Sequence, residues 1–238
     1  MLHDCYVFVA ELFYPYVYCP RLIAKLDTEN DAGVCGVTCL KGNTFALRTD
    51  KIIEIYEKLS SSVAYYTLCN TIDVTKLTSP NDIAACHLND RLYISDSRNY
   101  GIWIIRKPFS SDAVVEHFVS MHSPQGLSVT SNGCVIATME VPFNICVYSS
   151  DGRQLANIPL NPHITDVRQA VFSSDGHFIV CSGLSMTQKQ SVAKIKNIGE
   201  QIQIEVSSSI IVCMMIDVAH KFSVLTAPTY NCLVNYII

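Results

Sequence analysis

The chain has 238 residues, of which 49% are hydrophobic and 16% charged, so we predict a compact folded protein with a substantial core, not a disordered one. The formal net charge is −4, and the 17 Lys and Arg residues are scattered singly, which disfavours an electrostatic grip on nucleic acid. No apolar run reaches the roughly 18 residues of a membrane span, so we expect no membrane partner.

Cysteine usage predicts a reducing compartment, and we therefore predict a cytoplasmic protein. The 11 cysteines are odd in number and mostly lie inside apolar alternating runs such as "NICVY", as buried free thiols do. Cys35 and Cys39 have no second pair at zinc spacing. The N-terminal stretch "MLHDCYVFVAELFYPYVYC" lacks the basic region of a signal peptide.

Short alternating segments follow one another along the chain and predict an all-β meander. "RLYISD", "GIWIIRK" and "VVEHFVS" are separated by turn residues and show no helical periodicity. The turn that precedes the most apolar strand recurs at steps of 38, 48, 43, 43 and 44 residues. The aligned turn positions are Asp4, Gly42, Asp90, Gly133, Gly176 and His220.

A period near 43 residues with four strands is typical of one blade of a β-propeller. We predict one domain over residues 1–238, with approximate blades 1–30, 31–79, 80–123, 124–165, 166–209 and 210–238. The second strands, such as "RLYIS" and "CVIAT", are the most uniformly apolar, as expected for strands covered on both faces. In the first unit, "YVFVA" is predicted as the second strand and "RLIAKLD" as the fourth.

Two units resemble NHL-type repeats. "PNDIAACHLNDRLYISDSRNYGIWII" begins at Pro80, and "PQGLSVTSNGCVIATMEVPFNICVYSSDG" begins at Pro124. Each has a Pro opening the inner strand, a turn, an apolar strand and an outward strand, and "SDSRNYG" is similar to the core of such repeats. The resemblance implies a six-bladed β-propeller.

Both terminal units are predicted to be incomplete. The first lacks an innermost strand and the last an outermost one, so either the ring closes imperfectly or the chain is a piece of a longer protein. A free apolar edge such as "CLVNYII" would invite pairing with another chain. Further domains or a missing neighbouring segment therefore count among the predicted partners.

The first functional hypothesis is a non-catalytic scaffold that binds a protein or peptide over the central channel. Asp82, Gln125, Arg168 and Gln169 open the inner strands and are predicted to line the channel mouth. An equally weighted interpretation is that these side chains only solvate the mouth. No cofactor is predicted.

The alternative is a metal-dependent lactonase-like or lyase-like enzyme with its ion in the channel. The inner strands offer only Asp82, His87 and Asp217 as ligands, which is too few for a metal cage. Motifs of hydrolases, of phosphate-binding loops and of dinucleotide-binding folds are absent from the sequence. We therefore predict that the protein is not an enzyme. RNA binding is a third possibility, disfavoured because no basic stripe is present.

The phrase "SSDG" occurs twice, at Ser149 and at Ser173, 24 residues apart. The first copy is predicted to join a third strand to a fourth, and the second copy a first strand to a second. Both copies are interpreted as hairpin turns, and the two Asp side chains are not expected to share an ion.

Overall fold

A computed structural model gives the architecture of the chain. It describes residues 6–11, 21–27, 35–40, 44–49, 52–58, 66–160, 167–172, 176–182, 191–198, 201–207, 216–217 and 221–222. Every regular element in these ranges is a β-strand, which confirms the prediction of an all-β fold.

Four antiparallel sheets of four strands follow one another along the chain, each with its strands in sequence order. The first sheet contains β3 (Gly36–Leu40), β4 (Thr44–Thr49), β5 (Ile52–Lys58) and β6 (Tyr66–Asp73). The second contains β7 (Pro80–Cys86), β8 (Arg91–Asp96), β9 (Gly101–Arg106) and β10 (Val114–Ser120). The third contains β11 (Pro124–Val129), β12 (Val135–Met139), β13 (Asn144–Tyr148) and β14 (Gln154–Pro159). The fourth contains β15 (Val167–Phe172), β16 (Phe178–Ser182), β17 (Ser191–Ile198) and β18 (Gln201–Ser207).

Two pairs of strands flank these sheets. One pair is β1 (Tyr6–Glu11) with β2 (Arg21–Asp27), and the other is β19 (Ile216–Asp217) with β20 (Lys221–Phe222). Each of the six sheets lies within one of the six predicted units. The bounds of those units, and their union in one domain, stay a prediction.

One strand assignment is wrong. The predicted second and fourth strands of the first unit are β1 and β2, and these pair directly with each other from Tyr6 and Asp27 to Glu11 and Arg21. Their backbone hydrogen bonds go to one another, so no third strand lies between them. The alternating pattern identified both strands but carries no information on which strands are neighbours.

The core lies between the faces of neighbouring sheets. On β8, Leu92 and Ile94 pack into the cluster shared with the first sheet, whereas Tyr93 packs into the cluster shared with the third. All three side chains have no exposed surface. Successive residues of a strand point to opposite faces, so a strand covered on both sides must be apolar at every position. This explains why the second strands have the most uniformly apolar sequence.

The SSDG phrase at Ser149 is a turn, and of the phrase at Ser173 the structure describes only Gly176. Gly152 has φ of +89° and donates its N–H to the Ser149 carbonyl at 2.9 Å, between β13 and β14. Gly176 has φ of +84° just before β16. Both glycines occupy the left-handed region that most other residues avoid. The turn positions Asp4, Gly42 and His220 lie outside the described residues, as does Asp175.

Candidate functional site at the inner-strand ends

The candidate site lies where the inner strands β7, β11 and β15 begin. Ladder pairing is irregular in β7 between Pro80 and Asp82 and in β11 between Pro124 and Leu127. Such an irregularity leaves backbone groups that need other partners. The sequence supplies those partners from the second strands.

A buried hydroxyl on each second strand fills this gap. Ser95 Oγ accepts a hydrogen bond from Asp82 N at 3.0 Å and donates to the Gln125 carbonyl of the next sheet at 2.6 Å. Thr138 Oγ1 repeats the arrangement one unit later, accepting from Gly126 N at 2.9 Å and donating to the Arg168 carbonyl at 3.0 Å. Both hydroxyl residues are completely buried. They fix the start of one inner strand relative to the next.

Asp82 connects three sheets and is itself buried. Its carboxylate accepts from Ile83 N at 2.9 Å, from Leu127 N at 2.7 Å and from Gln169 Nε2 at 3.1 Å. Leu127 lies in the next inner strand and Gln169 in the one after that. These three N–H donors are hydrogen-bond partners that a buried carboxylate requires.

A second group of side chains lies beside Asp82 and is only half-buried. Arg168 Nη1 donates to Gln125 Oε1 at 3.1 Å, and Gln125 Nε2 donates to Glu140 Oε2 at 2.9 Å. Ser123 Oγ donates to the same Glu140 oxygen at 3.4 Å. We call Asp82, Gln125, Glu140, Arg168 and Gln169 the inner-end cluster.

The structure therefore brings the four residues predicted from the sequence together in one place. Asp82 and Gln169 hold the strands, because Gln169 Nε2 also donates to the Leu127 carbonyl at 3.0 Å. Gln125 and Arg168 are half-buried, as is Gln169, whereas Asp82 is buried.

Glu140 was missed by the sequence reasoning, which considered only residues that open inner strands. It follows β12 directly, two residues after the buried hydroxyl of Thr138. A search for polar residues just after each second strand would have found it.

The "SDSRNYG" segment has a structural role in its own unit. The buried Asp96 carboxylate accepts from Thr78 N at 2.7 Å and from Ser79 N at 2.8 Å. Asn99 Nδ2 donates to the Lys76 carbonyl at 3.1 Å. These bonds fix the loop that leads into β7, so they position Asp82 and the rest of the cluster.

Asp82 and His87, two of the residues considered as metal ligands, are not brought together. Asp82 lies near the start of β7 and His87 follows its last residue, five positions along an extended chain, or about 16 Å. Asp217 lies in β19, and its side chain is outside the described residues. In the part of the chain that the structure describes, no group of three or more His, Cys, Asp or Glu could hold a metal ion.

The described cysteines are free thiols with different exposure. Cys86 and Cys146 are buried, and Cys35 and Cys69 are exposed. Burial raises the pKa of the Cys146 thiol, which keeps it protonated and unreactive. Among the described residues, no helix is long and apolar enough to cross a membrane.

Comparison with known proteins identifies the fold. The sequence matches no protein-family model and no curated protein. Among solved structures, the chain is similar to one in a nidogen/laminin complex, with a TM-score of 0.54 and 11% identity over 78% of this chain and 75% of that one. It is also similar to a streptogramin B lyase, with a TM-score of 0.56 and 13% identity over 73% of this chain and 54% of that one.

A third similar structure is an inactive virginiamycin B lyase from Staphylococcus aureus with quinupristin. Its TM-score is 0.53 and its identity 13%, over 74% of this chain and 56% of that one. The chain therefore spans only about half of each lyase. At these identities the likeness shows the fold alone, and it confirms the predicted resemblance to β-propellers.

The prediction that the protein is not an enzyme is contradicted by this comparison. Two lyases share the fold at the same level of similarity as the chain from the nidogen/laminin complex. The prediction relied on missing catalytic motifs, but the fold accommodates both enzymes and chains found in protein complexes. A missing motif is therefore no ground for setting catalysis aside.

Proposed function

We propose that the inner-end cluster is the binding site for a protein or peptide partner. The observation that carries this proposal is the convergence of polar side chains from three successive inner strands, with Gln125 and Arg168 only half-buried. Side chains on strands are held more firmly than side chains on loops. Such a site loses little conformational entropy when a partner binds.

The hydrogen bonds of the cluster support this function. Gln125 is oriented at both ends of its amide, by Arg168 and by Glu140. Arg168 Nη1 donates to Gln125 Oε1, which fixes the position of a half-buried guanidinium. Backbone carbonyls and carboxylates of a peptide are suitable acceptors for such a group.

A reducing, cytoplasmic location and NHL-type repeats belong to the same proposal. Cys35, Cys69, Cys86, Cys134 and Cys146 are free thiols, which supports a reducing compartment. Ser95 and Thr138 make equivalent hydrogen bonds in two successive units, and Asp96 of "SDSRNYG" fixes the loop before β7. These equivalent contacts support a repeat of the NHL type.

Affinity capture with the full chain tests the proposal. The variant Gln125→Ala/Arg168→Ala removes the accessible part of the cluster and leaves Asp82, which holds the strands. The matched control is Arg153→Ala/Gln154→Ala, because this exposed Arg–Gln pair lies at the start of the outer strand β14. Thermal unfolding monitored by circular dichroism checks that both variants fold.

The proposal predicts that captured partners are lost with the cluster variant and kept with the control variant. Equal capture by the wild type and the cluster variant would refute it. Equal loss with both variants would also refute it, because binding would then not depend on the cluster.

A further inference from the structure

An exposed apolar group lies beside the inner-end cluster. Tyr100 is 56% exposed and Val141 is 59% exposed. The Tyr100 and His122 rings lie 5.1 Å apart between centroids, and His122 Nδ1 lies 3.2 Å from the Val141 carbonyl. Three separate loops therefore meet at one exposed surface, to which Tyr100 and Val141 contribute apolar side chains.

This surface is continuous with the cluster. Met121 N donates to the Tyr100 carbonyl at 2.9 Å, which joins the β8–β9 turn to the segment leading into β11. Glu140 N donates to the Ser123 carbonyl at 3.2 Å, and Val141 directly follows Glu140. We call Arg98, Tyr100, His122 and Val141 the rim patch.

Two residues at this junction have positive φ, as Asp90 and Lys107 do elsewhere in the described residues. Tyr100 has φ of +50° and Ser123 has φ of +44°. Both lie in the left-handed region, which costs free energy for a residue with a Cβ and costs glycine little. Tyr100 ends the β8–β9 turn, as Asp90 ends the β7–β8 turn, and its aromatic side chain is exposed there.

The charges at this end of the propeller define the partner. The carboxylates of Asp82, Asp96 and Glu140 each already accept at least two hydrogen bonds from the protein itself. Arg98 is exposed, and among the described residues its side chain has no hydrogen bond or ion pair. The available charged group is therefore a cation, and it is complementary to a carboxylate.

We propose that the rim patch and the inner-end cluster form one docking surface for an extended peptide segment with an acidic side chain next to an aliphatic or aromatic one. The carboxylate binds Arg98, and the apolar side chain packs on Tyr100 and Val141. This inference rests on the proposed function, because it names the partner of the same end of the propeller.

Two degenerate peptide pools test the inference on the immobilised full chain. Both pools are decapeptides with a fixed Leu-Phe pair, flanked by Glu in the acidic pool and by Lys in the basic pool. Retained peptide is quantified by mass spectrometry. We expect the acidic pool to be retained at least about tenfold more, because a guanidinium–carboxylate pair adds charge-assisted hydrogen bonds that the basic pool cannot form.

The variants Arg98→Ala and Tyr100→Gly test the residues. Glycine relieves the positive φ, so Tyr100→Gly should keep or raise the melting temperature while retention of the acidic pool falls. The matched control is Asp90→Gly, in the β7–β8 turn at the opposite end, where φ is also +50°. It should leave retention unchanged.

Retention of the acidic pool by both rim variants, or equal retention of the two pools, would overturn the inference. If peptide retention fell only in Gln125→Ala/Arg168→Ala, the partner chemistry would be wrong and the proposed function would stand. The inference and the proposed function would both be refuted if peptide retention were the same in the wild type, in the rim variants and in Gln125→Ala/Arg168→Ala. Both would also be refuted if neither pool were retained and partner capture did not depend on the inner-end cluster.

Discussion

Replacing the Thr138 hydroxyl by a methyl group tests how the inner strands are held together. Thr138→Val keeps the side-chain volume and the β-branched shape, but removes the group that bonds Gly126 N at 2.9 Å and the Arg168 carbonyl at 3.0 Å. Thr138 is completely buried, so water cannot replace the lost partner without entering the core.

The expected loss follows from these two bonds. Leaving the buried Gly126 N–H without an acceptor costs about 1–3 kcal/mol, and the lost bond to the Arg168 carbonyl adds about 1 kcal/mol. We therefore expect Thr138→Val to lower the free energy of unfolding by about 2–4 kcal/mol.

Urea unfolding measures this loss of stability, with Trp103 fluorescence and circular dichroism as the two signals. The matched control is Thr67→Val, since Thr67 is exposed on β6 and the change there should stay within about 0.5 kcal/mol. A third variant, Thr138→Ser, keeps the hydroxyl and should lose less than Thr138→Val. A loss for Thr138→Val no larger than that for Thr67→Val would refute the role of the hydroxyl.

Three further predictions concern other contacts. Gly126→Ala should destabilise the chain by about 1–3 kcal/mol in urea unfolding, because a Cβ there would lie 2.1 Å from the Arg168 carbonyl oxygen; wild-type stability would contradict this close approach. Asp96→Ala should make the loop before β7 more sensitive to limited proteolysis, and an unchanged cleavage rate would contradict its role. Ser110→Ala should raise the pKa of Asp112, now about 2, toward 3.8 in an NMR titration, because the Ser110 hydroxyl contributes most to the shift. The carboxylate contacts of Asp112 stabilise the folded state above about pH 4 and are lost as the pH falls toward 2. An Asp112 pKa in Ser110→Ala equal to that in the wild type would contradict the contribution of the Ser110 hydroxyl.

The repeat could be predicted from the sequence because it depends on local chemistry. Turn residues such as Gly133 and Gly176 recur at a regular spacing, and both have positive φ in the structure. A uniformly apolar segment also predicts a strand that is buried on both faces, as Leu92 and Tyr93 show. Strand neighbours depend on long-range pairing, which explains why the first unit was assigned incorrectly.

The candidate site was predicted in part. Asp82, Gln125, Arg168 and Gln169 could be found because residues at equivalent positions of successive inner strands come close to each other around a propeller. The sequence does not show that Asp82 accepts bonds from three N–H groups, and thus that it holds strands together. The roles of Ser95 and Thr138 could have been found from their equal offsets after the turns at Asp90 and Gly133. Tyr100 could not, because its strain and exposure depend on the folded backbone.

Hydrogen exchange of the chain with a captured partner tests the central claim most directly, since it reports where the partner docks. The account predicts protection of the segments 97–100, 121–126, 138–142 and 167–169, which carry the rim patch and the inner-end cluster. Peptides from the outer strands β10 and β14 should exchange as in the free chain. Protection confined to those outer strands, with the inner-strand ends unchanged, would contradict the account.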